Sequence, residues 1–200
     1  MTKQQSNAVM RTVNRLARIS AGLLVALLAF SVVPAVQSNA APAASGPGLV
    51  VQDRSHDNDN PDQQLYALFQ ILNNGTTAVP LSSLTMRYWL TDQAPSDPLV
   101  FACDWAQVNC SNITSKFVVL STPVAKANTY LQIGFTAAAG SIAPGQTSGE
   151  IQTRIHHAAY SEFDTSLTYS FIGDPSFVYK DTQTVTLYLN GVLVWGTEPS

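Results

Sequence analysis

The feature that most constrains the fold is a series of short runs rich in β-branched and aromatic residues, each bounded by turn residues. In the run Thr129–Phe135, Leu131 and Ile133 fall on one face, and this period of two indicates a half-buried strand. The pair Asn190-Gly191 lies between two such runs and predicts a two-residue hairpin, because both positions accept positive φ values. From residue 49 onward no stretch shows the 3.6-residue period of an amphipathic helix.

The number and spacing of these runs predict the fold class. The clearest strand candidates are Leu65–Leu72, Leu84–Thr91, Lys116–Leu120, Thr129–Phe135, Glu150–Ile155, Thr184–Leu189 and Val192–Trp195, and the weaker ones are Val50–Gln52, Leu99–Phe101 and Tyr169–Ile172. About nine short, half-buried strands at this spacing predict an all-β protein with an antiparallel β-sandwich.

The first forty residues have the character of a targeting segment. Four cations and no acidic residue precede the apolar run Ile19–Val36, and the small-residue site Ser38-Asn39-Ala40 follows it. This order is typical of a secretory signal peptide over residues 1–40. An uncleaved membrane anchor is the alternative, but the run has at most eighteen residues and contains Pro34, whereas a span needs about 20. We therefore expect a secreted chain with a linker at 41–48 and one folded domain at 49–200.

The charge of the folded part excludes one class of partner. The whole chain carries −3, and the first forty residues contribute four positive charges, so residues 41–200 carry −7. Contact with phosphate groups needs clustered Lys and Arg. The sequence predicts no nucleic-acid partner and, once the signal peptide is removed, no membrane.

Cys103 and Cys110 are the two cysteines of the chain. An oxidising compartment and their closeness in sequence favour a disulfide between them. Two buried thiols are the alternative reading. A zinc site is less favoured, because no histidine lies near either cysteine at ligand spacing.

Four segments of the chain carry a resemblance to a known family. They are Ile71–Trp89 (ILNNGTTAVPLSSLTMRYW), Thr129–Phe135 (TYLQIGF) with the turn Ile142–Gly145, Ile151–Ile155 (IQTRI), and Leu187–Pro199 (LYLNGVLVWGTEP). In this order they resemble the family 3 carbohydrate-binding modules of the cellulose-binding type. The resemblance extends from Leu65 to Pro199. It implies a nine-stranded jelly-roll sandwich with one flat face that lies on crystalline cellulose.

The resemblance also implies which residues contact cellulose. The implied strip consists of Asp104, Trp105, Arg154 and Tyr160, with Gln152 as a polar anchor beside it. The family usually has Asp-His at the first pair and often Trp at the last position, and one further family tyrosine falls at about Cys110. Asp104 is expected to hold the Arg154 guanidinium flat. Planar side chains of this kind bury the C–H faces of sugar rings with little loss of entropy.

Two further features follow from the resemblance. The family often holds a structural calcium, whose ligand positions fall at Thr91, Asp92 and Asp164, while two others carry Leu167 and Thr168. Because calcium takes six to eight oxygen ligands, this chain has an incomplete set, and we expect it not to require the ion. A shallow groove is implied at Arg87, Trp89, Tyr130, Tyr169 and Glu198.

Each aromatic ring also has a purely structural interpretation, since a Trp or Tyr in a β-sandwich more often belongs to the core. Trp89 and Tyr130 lie inside strand runs, which fits core or groove. Trp105 and Tyr160 lie outside the clearest strands and near charged residues, where we expect exposure. The adjacent His156-His157 pair would point to opposite faces of a strand, so the two side chains are not expected to bind one metal ion.

The sequence contains no recognisable catalytic constellation. A glycosidase needs two paired carboxylates, and no motif pairs any of Asp92, Asp104, Glu150, Glu162 and Asp164. A resemblance to the copper polysaccharide oxygenases would require a histidine at the mature N-terminus. The nearest histidine here is His56. We therefore expect no catalytic residues and no enzymatic activity. A structural surface or matrix protein without polysaccharide affinity is the other non-enzymatic hypothesis.

The functional expectation is a secreted, non-catalytic module that binds crystalline cellulose and is carried on its own. Cellulases acting on the same surface are the expected protein partners. The alternative is an accessory part of a polysaccharide-degrading system that acts on chitin or another glycan.

Overall fold

The structure is a computed structural model, and it describes residues 48–54 and 57–200. The predicted signal peptide and all but the last residue of the predicted linker lie outside the described residues. Within the described ranges, no helix has the length and apolar character needed to cross a membrane.

Twelve strands and four short 3-10 helices make up the described part of the chain. The strands are β1 Leu49–Arg54, β2 Gln64–Asn73, β3 Val79–Pro80, β4 Leu84–Leu90, β5 Leu99–Ala106, β6 Ile113–Val124, β7 Ala127–Phe135, β8 Ser141–Ile142, β9 Ile151–His157, β10 Lys180–Asp181, β11 Val185–Leu189 and β12 Val192–Trp195. The 3-10 helices are Leu81–Ser83, Cys110–Asn112, Ala137–Ala139 and Thr165–Leu167. Nine of these strands have four residues or more, which is the predicted number, while β3, β8 and β10 have two residues each.

The strands form two five-stranded sheets and a small ribbon. The front sheet has the order β10-β1-β2-β9-β5, the back sheet has the order β12-β11-β4-β7-β6, and β3 pairs with β8. Neighbouring strands in all three pair antiparallel. This arrangement confirms the predicted antiparallel β-sandwich.

The core lies between the two sheets, because alternate residues of each strand point inward. On β2 the inward residues include Phe69, and on β4 they include Tyr88; their rings meet edge to face with centroids 6.1 Å apart. Both rings are fully enclosed, and burial of aromatic and aliphatic side chains is the main source of stability in a domain of this size. Other fully buried residues of this core include Val51, Leu65, Ile71, Met86, Leu131, Ile133, Ile151, Ile155, Val185 and Leu187.

One carboxyl group is enclosed in this apolar setting. Asp53 on β1 is 3% exposed, and its Oδ1 has no hydrogen-bond partner among the described residues. Burial raises the pKa of Asp53 to about 8, although backbone N–H groups of Arg54 and Leu68 donate to it and act in the opposite direction. Asp53 is therefore a carboxyl group that is most stable in its protonated form at neutral pH.

Two strand predictions differ from the structure. The segment Tyr169–Ile172 forms no strand, because its backbone is used in turn and loop contacts: Tyr169 N donates to Lys126 O, and Ser170 N donates to Trp89 O. The predicted strand Lys116–Leu120 is the centre of the longer β6. Strand β6 lies at the edge of the back sheet, where polar residues and a proline are tolerated, so its ends do not alternate.

Candidate functional site

A β-bulge on β5 turns two neighbouring side chains to the outer face of the front sheet. Strand β5 pairs with β9, and the register moves from Cys103 opposite Thr153 directly to Trp105 opposite Gln152. Asp104 is therefore the extra residue, and both it and Trp105 are exposed, while Cys103 packs against the core. Regular alternation would have turned Trp105 inward; instead the residue is 48% exposed.

The predicted disulfide between Cys103 and Cys110 is present, with 5.8 Å between the two Cα atoms. Cys110 begins the 3-10 helix that leads into β6, and the side chain of Asn109 caps this helix by accepting a hydrogen bond from Ser111 N. The bond closes the segment that carries Asp104 and Trp105. The disulfide rules out the two alternatives for these cysteines, two free thiols and a zinc site with cysteine ligands.

Arg154 lies in the centre of the exposed face and is fixed by three hydrogen bonds. Its Nε donates to Asp104 Oδ2 and its Nη2 donates to Asp104 Oδ1, each at 2.7 Å. Its Nη1 donates to Gln64 Oε1, also at 2.7 Å. The hydrogen bonds to Asp104 raise the pKa of Arg154. Since all three bonds lie along the guanidinium plane, the group is held in one orientation as a flat cation.

Tyr160 is placed by the turn that follows β9. Its backbone has a φ of 59°, and its N–H donates to His157 O at 2.9 Å. The Asp97 carboxylate clamps the same turn, since Oδ1 accepts from Ala159 N at 2.9 Å and Oδ2 accepts from Ser161 Oγ at 2.7 Å. Desolvation raises the pKa of Asp97, but these hydrogen bonds outweigh it and the pKa is lowered. Tyr160 is 45% exposed.

Gln152, the implied polar anchor, belongs to a chain of polar contacts on the same face. Its Nε2 donates to Glu150 Oε1, which also accepts from Arg54 Nη2 at 2.8 Å. The Arg54 guanidinium in turn lies over the Tyr179 ring, 5.2 Å from its centre. The structure thus brings the five sequence-predicted residues to one outer face of one sheet. We call Asp104, Trp105, Gln152, Arg154 and Tyr160 the outer strip.

The implied shallow groove lies on the outer face of the back sheet. The Arg87 guanidinium carbon is 4.6 Å from the centre of the Tyr130 ring and 5.7 Å from that of Trp89, and Arg87 Nη1 is 3.1 Å from Glu198 Oε1. Tyr169 reaches the same region through a hydrogen bond from its hydroxyl to Thr197 O. The groove is therefore filled by an internal network around one arginine, and Trp89 is buried in its wall.

Sequence reasoning missed one ring of this groove. Tyr188 lies 4.2 Å from the Arg87 guanidinium carbon, closer than Tyr130 or Trp89, and its hydroxyl donates to Glu198. Burial, together with that hydrogen bond, raises the pKa of Tyr188 to about 12. Its outward position on β11 followed from the alternation of the strand, but alternation alone does not show which ring an arginine contacts.

The implied calcium ligands are occupied by hydrogen bonds within the protein. Asp92 Oδ1 accepts from Ala94 N at 3.0 Å and lies 3.1 Å from His157 Nε2. The Gln93 amide bridges the other two positions, since its Nε2 is 3.4 Å from Thr91 O and its Oε1 accepts from Asp164 N at 2.8 Å.

The calcium donor set is also short of oxygen ligands. Asp164 Oδ1 accepts from Ser166. Leu167 supplies no side-chain oxygen, and Thr168 supplies one neutral hydroxyl, which is buried without a partner among the described residues. No group of three or more His, Cys, Asp or Glu side chains in residues 48–54 and 57–200 is arranged to hold a metal. The implied side chains offer fewer oxygens than the six to eight that calcium takes, so it stays a prediction that the module does not require the ion.

The two adjacent histidines separate as their alternation on β9 predicts. His157 is fully buried, its Nδ1 lies 2.9 Å from Ser161 O, and its ring stacks on Phe163. His156 points to the outer face, where its ring stacks on Tyr160. His156 belongs to the surroundings of the outer strip, and the signal for this was its position two residues after Arg154 on the same face of the strand.

The fold is shared with a known family of proteins. A family model described as a cellulose binding domain, that of the family 3 carbohydrate-binding modules, matches residues 50–196. The chain belongs to this family.

Relatives of the module occur both inside enzymes and as a chain of similar length. This chain is 44% identical over 152 residues to Endoglucanase A of Paenibacillus lautus. The match covers 76% of this chain but only 21% of that enzyme. This chain is 40% identical over 149 residues to a protein of Paenibacillus lautus described as an uncharacterized protein in the celA 5′ region, covering 74% of this chain and 100% of that protein.

A solved structure shows the same fold. The module matches the CBM3b of the major scaffoldin subunit ScaA from Acetivibrio cellulolyticus with a TM-score of 0.71 and 29% identity, over 78% of this chain and 99% of that one. Family membership makes the module a binding module.

Proposed function

We propose that this chain is a secreted, non-catalytic module that binds crystalline cellulose through the outer strip. The observation that carries the proposal is the presence of two exposed rings, Trp105 and Tyr160, and one flat guanidinium, Arg154, on the outer face of a single sheet.

The chemistry of the strip suits the flat faces of sugar rings. A glucopyranose ring in an extended chain presents C–H groups on its faces and hydroxyl groups around its edge. Planar surfaces that can cover these C–H groups are offered by Trp105, Arg154 and Tyr160. Hydrogen-bond partners for the hydroxyl groups are offered by the oxygen and nitrogen atoms of Asp104 and Gln152.

The geometry of the strip suits an extended ligand on a surface. Residues of β9 rise about 3.3 Å each, so the outward positions from Gln152 to His156 span about 13 Å. Trp105 lies opposite Gln152 at one end and Tyr160 stacks on His156 at the other. A ligand that contacts both rings must be a chain of several sugars, and since the residues lie on a sheet face, the chain can be part of a solid.

Secretion is supported by the composition of residues 1–40, with their basic start, apolar run and small-residue site. We infer that cleavage exposes a chain beginning near Ala41. Amino-terminal sequencing of protein collected from culture medium should give that start, and retention of residues 1–40 in a membrane fraction would contradict it.

Co-sedimentation with insoluble polysaccharides tests the ligand. Protein beginning near Ala41 should be depleted from solution by microcrystalline cellulose and should release no soluble sugar from it. Stronger depletion by chitin would favour the alternative ligand. Absence of binding to cellulose, chitin and starch would favour a matrix protein, and release of sugar by pure protein would overturn the non-catalytic assignment.

Cellulases that act on the same surface are the proposed partners.

A further inference from the structure

We propose that His156 is a positioning residue of the outer strip: its ring forms the rear layer of a stack that holds Tyr160 as a flat platform for a sugar ring. The inference rests on the proposed function, because a platform has meaning only if the strip binds sugar. It adds to the strip a residue that touches Tyr160 rather than the ligand.

The stack is close to parallel. The centroids of the His156 and Tyr160 rings are 4.8 Å apart, and their planes differ by 8°. One face of the Tyr160 ring is therefore covered by the imidazole, while Tyr160 as a residue remains 45% exposed. The uncovered face is the one available to a ligand, so imidazole, phenol and sugar would form three successive layers.

The imidazole itself is fixed to the backbone. His156 Nδ1 lies 2.8 Å from the carbonyl oxygen of His157. A carbonyl oxygen only accepts hydrogen bonds, so this contact assigns the proton to Nδ1 and limits rotation of the ring. Strand β9 pairs with β2 on one side and β5 on the other, with His156 opposite Gln64 and Val100, so its backbone is held on both sides.

Tyr160 needs such a support because its own position allows movement. It is the last residue of the turn that follows β9, closed by its N–H to His157 O, and its side chain would otherwise be a lone exposed phenol with free rotation about two bonds. Ordering a mobile side chain on binding reduces affinity, whereas a ring already held in its bound orientation avoids that loss. The Asp97 clamp orders the backbone of the turn, and His156 orders the ring.

The decisive experiment is a double-mutant cycle on microcrystalline cellulose. His156→Ala should weaken adsorption about three- to ten-fold, the range expected for loss of an aromatic stack, with an unchanged melting temperature. His156→Phe should keep the stack and retain binding. In a Tyr160→Ala background, His156→Ala should have no further effect, whereas in a Trp105→Ala background it should retain its full effect.

A measurement without cellulose separates this inference from the proposed function. Aromatic NMR signals of Tyr160 should show a ring-current shift in the wild type that disappears in His156→Ala. If the wild type does not adsorb but the shift is present, the proposed function fails while the stack stands. An equal effect of His156→Ala in the Tyr160→Ala background, or a fall in melting temperature that accounts for the lost binding, would overturn the positioning role.

Discussion

Arg154 and Asp104 form two parallel hydrogen bonds, Nε to Oδ2 and Nη2 to Oδ1, each 2.7 Å long. Asp104 reaches this position because it is the extra residue of the bulge on β5, and the same bulge exposes Trp105. A paired fork of this kind fixes the plane of the guanidinium, which a single hydrogen bond would leave free to rotate. The bulge therefore produces both an exposed ring and a flat cation beside it.

Asp104→Asn tests the importance of the fixed guanidinium. The amide NH₂ of asparagine would face a donor of Arg154, so one of the three hydrogen bonds that hold the guanidinium is lost and its orientation is less firmly fixed. Adsorption to cellulose should weaken about five-fold, equivalent to about 1 kcal/mol of binding free energy. The free energy of unfolding should change by less than about 1 kcal/mol, because the ion pair is partly exposed. Glu198→Gln, which breaks an ion pair on the back sheet, is the matched control and should bind like the wild type. Wild-type binding by Asp104→Asn would count against the role of the fork.

The disulfide should contribute to stability through the loop it closes. In the chain-entropy account, the eight-residue loop from Cys103 to Cys110 stabilises the fold by about 2.5 kcal/mol, so the double variant Cys103→Ser/Cys110→Ser should melt about 5–10 °C lower. Denaturant unfolding with and without reductant measures this, and reduced wild type should match the variant. Thiol titration of denatured, unreduced secreted protein should find no free thiol, and two per chain would be incompatible with the bond.

Asp53 should make stability fall as pH rises. Between the ordinary carboxyl pKa of 3.8 and the folded value of about 8, the folded chain keeps a proton on Asp53 that the unfolded chain has released. Stability from this group is therefore complete below about pH 4, declines through that window and is lost above about pH 8. Asp53→Asn should flatten the decline in melting temperature between pH 5 and 8.

The matched control for Asp53 is Asp174→Asn. The Lys180 ammonium lowers the pKa of Asp174 to about 2, so its contribution is present above about pH 4 and is lost as the pH falls toward 2. The control should therefore keep the wild-type profile between pH 5 and 8. Parallel profiles for Asp53→Asn and wild type in that range would mean that Asp53 is not the group responsible.

We expect the fold to depend on His157 rather than on calcium. His157 contacts both Asp92 and Ser161 from a fully buried position, so His157→Ala leaves a cavity and unpaired polar atoms and should cost about 2–4 kcal/mol. Addition of a calcium chelator should leave the melting temperature of the wild type unchanged. A fall on chelation that calcium reverses would show that an ion is held after all.

Alternation along the chain predicted the parts of the fold that depend on burial. Strands β4, β7 and β11 were found close to their observed bounds because each places apolar residues inward at every second position. The edge strand β6 was predicted too short, since the polar residues Thr114, Ser115, Ser121 and Thr122 near its two ends are exposed and need not alternate. The segment Tyr169–Ile172 has the composition of a strand, but long-range contacts determine its course.

The site residues could be predicted only where the residue types themselves match the pattern of the resembled family. The resemblance located Asp104, Arg154 and Tyr160, and their pattern implied an ion pair between the first two. The support from His156 depends on a turn with a positive φ at Tyr160, and composition does not show that a bulky residue adopts it. The contact of Gln64 with Arg154 depends on the register between β2 and β9, which local sequence does not fix.

The central claim is tested most directly by adsorption isotherms of the wild type and of Trp105→Ala/Tyr160→Ala on microcrystalline cellulose. Each single change should weaken binding about ten-fold, and the double variant should bind near background. Each substitution should change the free energy of unfolding by less than about 0.5 kcal/mol. Leu193→Ala, which removes a back-sheet side chain of similar exposure at 42%, should bind like the wild type. A folded double variant that adsorbs as the wild type does would contradict the claim that the outer strip binds cellulose.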